Sequence, residues 1–164
     1  DLVVSGGGIG PQEVTDVVVD PSGNIMVSGL TQNNIRFGTQ TYNTVGTTDS
    51  FILKLSSTGA FTSLTGYGIA NNAVSLTNLA MDGNGDLYAG GSYEGTMAKN
   101  GWSITANKGG ADLFFIKEGS TPSNQWAATG GSNSADSVQG MDVSTNGELV
   151  FTSFFLDGTK LTYW

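Results

Sequence analysis

The stretch VVVDPSGNIMVSGL, which runs from Val17 to Leu30, recurs twice in this chain of 164 residues. It returns as LAMDGNGDLYAGGS from Leu79 to Ser92 and as MDVSTNGELVFTSF from Met141 to Phe154, and each copy begins 62 residues after the one before it. A fixed internal period of this size indicates a structural unit that is copied along the chain. The repeat therefore constrains the architecture before any single residue is considered.

Each copy predicts two β-strands joined by a four-residue turn. Short apolar stretches flank turn-forming Asp, Pro, Ser, Asn and Gly residues, which is the pattern of a strand pair. In the first turn, Pro21 and Gly23 suit the second and fourth positions of a type I turn, and the Asp20 side chain is expected to cap the turn backbone. The predicted strand pairs cover residues 15–19 and 24–29, 77–81 and 86–91, and 139–143 and 148–153.

Two further strands are predicted in each full period. Apolar runs at residues 49–55 and 112–117 carry a lysine toward their ends, and the strand-like stretches 61–66 and 126–130 follow them. Four antiparallel strands repeated at this spacing predict an all-β fold of β-propeller blades, with about 2.75 blades present. A Greek-key sandwich is the alternative, although it would not require one segment three times at a single spacing.

The predicted boundaries place one propeller segment over residues 1–164. Residues 1–12 are expected to form the last strand of a preceding blade, residues 13–74 and 75–136 one blade each, and residues 137–164 a partial blade. Closed propellers use about four to eight blades. We therefore expect a piece of a larger propeller, whose exposed strand edges are completed by missing blades or by a protein partner.

Four stretches carry a resemblance to a known family. They are DPSGNIMVSG at residues 20–29, GTTDSFILKL at 46–55, GADLFFIK at 110–117, and the run from Trp126 to Asp136. Together they resemble the seven-bladed β-propeller (SBBP) repeat family over most of the chain. The resemblance implies a propeller fold and a secreted or surface-exposed bacterial protein. The third copy departs from the pattern, because Ser144 replaces the turn aspartate.

Composition excludes several function classes. The formal net charge is −8 with only six lysines and arginines, so the basic stripe that a nucleic-acid binder needs is missing, and an anionic membrane surface would repel the chain. The sequence contains no histidine and no cysteine. Zinc sites of the usual ligand sets, thiolate nucleophiles and Ser-His-Asp catalysis are therefore excluded.

The turn Asp82-Gly83-Asn84-Gly85-Asp86 is the candidate metal site. Oxygen ligands at alternate positions, with glycines between them, suit Ca²⁺, for which Asp82, Asn84 and Asp86 would be the ligands. The twelve-residue EF-hand pattern is absent, so a capped hairpin turn is the favoured interpretation and no cofactor is predicted.

Trp102 is the candidate ligand-binding residue, because it lies in a predicted loop without a repeat partner and could stack against a sugar. Trp126 is expected to pack in the core. Asp49 and Asp112 open equivalent strands and are expected to be solvated or to cap turns. Lys54 and Lys117 are expected to extend along a blade edge.

No predicted catalytic residue emerges from these patterns, because the carboxylates recur with the repeat. We expect a non-enzymatic, extracellular or cell-surface propeller segment for protein interaction, adhesion or assembly. A carbohydrate-binding propeller is the alternative, and a polysaccharide hydrolase or lyase, which would need two suitably spaced carboxylates, is a further one.

Overall fold

The computed structural model describes residues 5–106, 109–119, 121 and 124–154, and within these the chain is all-β and contains no α-helix. The all-β prediction is confirmed. The chain divides into two compact units, Asp1–Leu76 and Thr77–Trp164. The strands are β1 (Gly6–Gly7), β2 (Gln12–Val19), β3 (Ile25–Thr31), β4 (Ile35–Phe37), β5 (Gln40–Tyr42), β6 (Asp49–Leu55), β7 (Phe61–Tyr67), β8 (Val74–Met81), β9 (Leu87–Tyr93), β10 (Thr96–Lys99), β11 (Trp102–Thr105), β12 (Asp112–Glu118), β13 (Trp126–Gly130), β14 (Ser137–Val143) and β15 (Leu149–Phe154).

The main sheet of the first unit has four antiparallel strands in the order β2-β3-β6-β7. These are the four strands predicted from the first full period, and consecutive strands are neighbours throughout. A hairpin of β4 and β5 interrupts the sequence between β3 and β6, and β1 pairs with β4. The sequence patterns did not predict this hairpin, because its strands of three residues are too short to show a periodicity.

The β4–β5 hairpin supplies part of the first unit's core. Ile35 is buried together with Phe51, Leu53 and Leu55 of β6, and the Phe37 ring lies with its centroid 5.8 Å from that of Phe51. The hairpin therefore covers one face of the sheet near β6. At the edge of the same sheet, β2 has exposed apolar side chains.

The second four-stranded sheet repeats this plan, with the order β8-β9-β12-β13 along the chain. Its first strand begins at Val74, within the first unit, and continues into the second. A hairpin of β10 and β11 again stands between the second and third strands. The hairpin is thus a recurring part of the copied unit, although its residues differ between the two copies.

The third copy contributes two antiparallel strands, β14 and β15. They pack against the second sheet, where Phe151 of β15 lies with its ring centroid 4.5 Å from that of Phe115 in β12, and Val138 joins the same buried cluster. Within the residues that the structure describes, β15 pairs with β14 alone, and none of the sheets closes on itself.

The predicted turns are confirmed in all three copies. The amide of the turn glycine donates to the carbonyl of the first turn residue, over 2.9 Å at Gly23, 3.1 Å at Gly85 and 3.0 Å at Gly147. Each glycine has a positive φ near 85°, at 84°, 82° and 86° respectively, a conformation that glycine adopts without the steric cost of a Cβ. Asp20 caps its turn as predicted, since its Oδ1 accepts from the amide of Ser22 over 2.8 Å.

A second hydrogen bond recurs with the same 62-residue period. The Thr15 hydroxyl donates to the carbonyl of Leu76 over 2.9 Å, and the Thr77 hydroxyl donates to the carbonyl of Val138 over 3.3 Å. The third copy has Gln139 at this position, and its side-chain amide donates instead to Ser137 over 2.7 Å. Each bond links the first strand of one copy to the first strand of the next.

Candidate functional site

The turn Asp82–Asp86 adopts the capped geometry that the sequence favoured. Asp82 Oδ1 accepts from the amide of Asn84 over 2.9 Å and from the amide of Asp86 over 3.0 Å. Both aspartates are buried, whereas Asn84 is exposed. The Asn84 side chain therefore stands apart from the two buried carboxylates with which it was grouped as a candidate ligand.

Lys117 of β12 occupies the position of a cation beside these carboxylates. Its Nζ lies 2.9 Å from Asp86 Oδ2 and 3.7 Å from Asp82 Oδ2, and 5.0 Å above the Tyr88 ring centroid. The Asn124 side-chain amide also donates to Asp86. Burial alone lowers the pKa of Lys117, but the hydrogen bonds with Tyr88 and Asp86 outweigh it, and the net pKa is raised.

Lys117 is therefore a buried ion-pair residue, and the expectation that its side chain extends along a blade edge with its ammonium in solvent is wrong. The reason is the strand register. Lys117 of β12 lies directly opposite Tyr88 of β9, and the turn that holds the two aspartates comes immediately before β9. We name Asp82, Asp86, Tyr88 and Lys117 the Lys117 cluster. In the described residues no three His, Cys, Asp or Glu side chains are grouped as metal ligands.

Removal of divalent cations is expected to leave the Lys117 cluster unchanged. Because the Lys117 ammonium already pairs with Asp86, a bound Ca²⁺ would have to displace it from a contact of 2.9 Å. We expect EDTA and added CaCl₂ to give melting temperatures within about 1 °C of each other, which is well below the shift that a ligand at 100 times its Kd would produce. A rise in melting temperature with CaCl₂ that Asp86→Asn abolishes would instead establish a calcium site.

Asp49 is fully buried and satisfied by three donors. Its Oδ2 accepts from the Tyr42 hydroxyl over 2.6 Å and from the amide of Val45 over 2.8 Å, and its Oδ1 accepts from the amide of Gly46 over 2.9 Å. The predicted turn-capping role is confirmed and the predicted solvation is wrong. A Cβ added at Gly68 would overlap this carboxylate, so the backbone at Gly68 packs directly against it.

The equivalent Asp112 is also buried, and a Cβ added at Gly131 would overlap its carboxylate as one at Gly68 would overlap that of Asp49. Asp49 and Asp112 thus occupy matching cradles in the two copies. Their recurrence follows the repeat, because each aspartate opens the third main strand of its four-stranded sheet.

Two tyrosines beside these aspartates predict a loss of stability in alkali. Burial raises the pKa of Tyr93 to about 12; the charge of Asp112 adds to this effect, and a hydrogen bond with Thr129 opposes it. Burial and the hydrogen bond with Asp49 also raise the pKa of Tyr42. The unfolded chain releases these protons near pH 10, so the stabilisation is complete below pH 10 and is lost as the pH rises toward 12. We expect the melting temperature of a Tyr42→Phe, Tyr93→Phe variant to fall less steeply over this window, whereas parallel curves would contradict the assignment.

Trp102 is the first residue of β11, and its predicted location in a loop is wrong. Asn100 and Gly101 form the two-residue turn of the β10–β11 hairpin, with φ of 48° and 91°, and Asn-Gly is a strong hairpin signal. Trp102 faces Lys99 across this hairpin and is half-buried. Trp126, expected in the core, is also partly exposed, and its ring centroid lies 6.0 Å from that of Tyr88 at 73°.

Two strands, β2 and β15, carry several exposed apolar side chains. Val14, Val17 and Val19 of β2 are exposed in the first unit, and Val150 and Phe154 of β15 are exposed in the second. Large exposed apolar groups on sheet strands are typical of surfaces that bind another polypeptide. These two strands, rather than the turn aspartates, are the candidate binding surfaces of the chain.

Comparison with known proteins adds no assignment: no protein-family model matches this sequence, and no curated protein matches it either.

Proposed function

We propose that this chain is a segment of a β-propeller of the SBBP-repeat type, located outside the cell or at its surface, which binds proteins without catalysing a reaction. Its sheets would be blades, and its loops and strand edges would serve interaction, adhesion or assembly. Two four-stranded sheets with the same strand order, each with a hairpin between its second and third strands, support this proposal. The recurring Thr15 and Thr77 hydrogen bonds support it further, because they link successive copies in the same way.

The packing of β14 and β15 on the second sheet is the observation that carries the proposal. Phe151 and Leu149 contact the cluster of Leu113, Phe115 and Val138, so a sheet from one copy lies on the face of the sheet before it. Face-on packing of successive four-stranded sheets is how a propeller is built. The third copy would then need the strands equivalent to β12 and β13 to become a complete blade.

The use of the acidic residues supports a role without catalysis. The Asp49 carboxylate accepts three hydrogen bonds from its own chain. Asp82 accepts hydrogen bonds within its turn, and both Asp82 and Asp86 lie beside the Lys117 ammonium. A glycosidase needs two carboxylates that face a substrate, whereas these carboxylates are buried against their own chain. A panel of polysaccharides incubated with the protein is therefore expected to release no sugar.

A chimeric chain tests the propeller assignment directly. Residues 1–154 followed by a second copy of residues 93–130 would supply the third copy with its hairpin and its last two strands. We expect its melting temperature to rise by about 5 °C or more, because the added strands would bury the exposed Val150 and Phe154. The control is the same chain with the order of the appended residues shuffled. Equal melting temperatures for the two chains would contradict the proposal.

A further inference from the structure

Three asparagines of this chain are each followed directly by glycine, so the same dipeptide occurs in three backbone settings. They are Asn84, Asn100 and Asn146, and all three are exposed. A glycine in the next position leaves the asparagine carboxamide open to attack by the following backbone nitrogen, because glycine has no Cβ to hinder the approach. The hydrogen bonding of that nitrogen therefore decides which of the three asparagines can react.

The glycines of the two copied turns use their amides in hydrogen bonds. The amide of Gly85 donates to the carbonyl of Asp82 over 3.1 Å, and the amide of Gly147 donates to the carbonyl of Ser144 over 3.0 Å. Each nitrogen would have to give up this bond, and open its turn, before it could attack the side chain beside it. The turn hydrogen bond therefore protects the asparagine that precedes each glycine.

The glycine of the β10–β11 hairpin is in a different position. Gly101 is exposed, and its amide donates no hydrogen bond within the part of the chain that the structure describes. Asn100 and Gly101 fill the centre of the turn, between the paired residues Lys99 and Trp102. The Gly101 nitrogen can thus approach the side-chain carbonyl carbon of Asn100 without breaking a hydrogen bond of its own.

We propose that Asn100 is a site of spontaneous covalent modification, at which the carboxamide is converted to a carboxylate. The Gly101 nitrogen forms a bond to Cγ of Asn100, the bond from Cγ to Nδ2 breaks, and ammonia leaves with the proton that the Gly101 nitrogen gives up. Water then opens the cyclic imide, placing its hydroxyl on one carbonyl carbon and its other proton on the Gly101 nitrogen. Opening at Cγ gives aspartate, and opening at the backbone carbon gives isoaspartate.

The isoaspartate product would change the hairpin more than the aspartate product. It routes the main chain through the side-chain methylene, so the two-residue turn gains one backbone atom as well as a negative charge. Met97 and Ile104 pair across this hairpin, and both are buried. Because the length of the loop fixes the register of a hairpin, we expect isoaspartate at this position to loosen the pairing.

The test incubates the full chain in mildly alkaline buffer and follows each asparagine by peptide mapping and mass spectrometry, which detect the exchange of ammonia for water. We expect Asn100 to convert about fivefold or more faster than Asn84 and Asn146, the factor that one hydrogen bond of ordinary strength contributes. The rate at Asn100 is expected to rise with pH, since the attacking nitrogen must lose its proton. Equal rates at the three asparagines, or no conversion of Asn100, would overturn the proposal.

Two controls separate the effect of the fold from that of the dipeptide. In guanidinium chloride the turn hydrogen bonds are lost, so the three rates are expected to converge; a difference that persisted there would show that the structure does not select the site. Asn100→Gly keeps a turn suited to positive φ and removes the carboxamide. Hydrogen exchange of residues 97–104 is expected to quicken as the unaltered chain ages but to stay constant in this variant, and equal quickening in both would contradict the loosening of the hairpin.

Discussion

Asp49→Ala is expected to reduce the free energy of unfolding of the first unit by about 3 kcal/mol or more. The substitution removes a fully buried carboxylate and leaves the Tyr42 hydroxyl and the amides of Val45 and Gly46 without their acceptor. A buried donor left unsatisfied costs about 1–3 kcal/mol, and these three donors are lost together. Urea denaturation followed by circular dichroism measures the change, and hydrogen exchange of residues 45–51 localises it.

Asp142→Ala is the matched control for this substitution. Asp142 is exposed and its carboxylate accepts only from the neighbouring amide of Val143 among the hydrogen bonds that the structure describes, so its loss is expected to change stability by less than about 0.5 kcal/mol. Tyr42→Phe should fall between the two, because Asp49 then keeps both backbone donors. Coincident unfolding curves for the two alanine variants would show that the buried Asp49 contributes no more than an exposed aspartate.

Lys117→Met is expected to destabilise the second unit by about 3–5 kcal/mol, the range measured when one partner of a buried ion pair is removed. Asp82 and Asp86 would remain buried, at 3% and 2% exposure, without the only ammonium that the described ion pairs place beside them. Trp126 lies with its ring centroid 6.0 Å from that of Tyr88, which the lysine covers. Its fluorescence is therefore expected to report the unfolding of this cluster in urea.

Two further variants separate charge from packing in the Lys117 cluster. Adding Asp86→Asn to Lys117→Met is expected to recover part of the loss, because one unbalanced charge is removed while the shape is kept. Arg36→Met is the control for loss of a surface cation, since Arg36 is exposed and its Nε donates to the carbonyl of Gly38 over 3.0 Å. If Lys117→Met were as mild as Arg36→Met, the buried ion pair would be of no importance to stability.

The candidate sites show where sequence reasoning succeeded and where it did not. The capping roles of Asp20 and Asp82 were predictable, because an aspartate that opens a tight turn bonds amides two and four residues away. The partners of Lys117 were not, because Asp86 lies 31 residues earlier and meets it only through the pairing of β9 with β12. A signal was present in the recurring lysine, which apolar strands seldom keep without a charged partner.

Burial likewise depended on neighbours that lie far away in the sequence. Val17 and Val150 sit in strand patterns like those of buried residues, yet both are exposed, since a strand pattern does not tell whether another sheet covers its face. The Trp102 hairpin was missed in a different way, because Asn100-Gly101 was assigned to a loop although it is a hairpin turn with a strand on each side.

The sequence by itself determined the strands of the main sheets, their order along the chain and the three capped turns. These features depend on residues within a few positions of each other, where side-chain alternation and turn-forming residues act directly on the backbone. Only the tertiary structure decided that Lys117 is buried beside two aspartates, that Asp49 is enclosed, and that a short hairpin stands between the second and third strands of each four-stranded sheet. Those outcomes depend on the register and stacking of strands that are distant in the sequence, and the free energy of a charge or an apolar side chain follows from what that packing places around it.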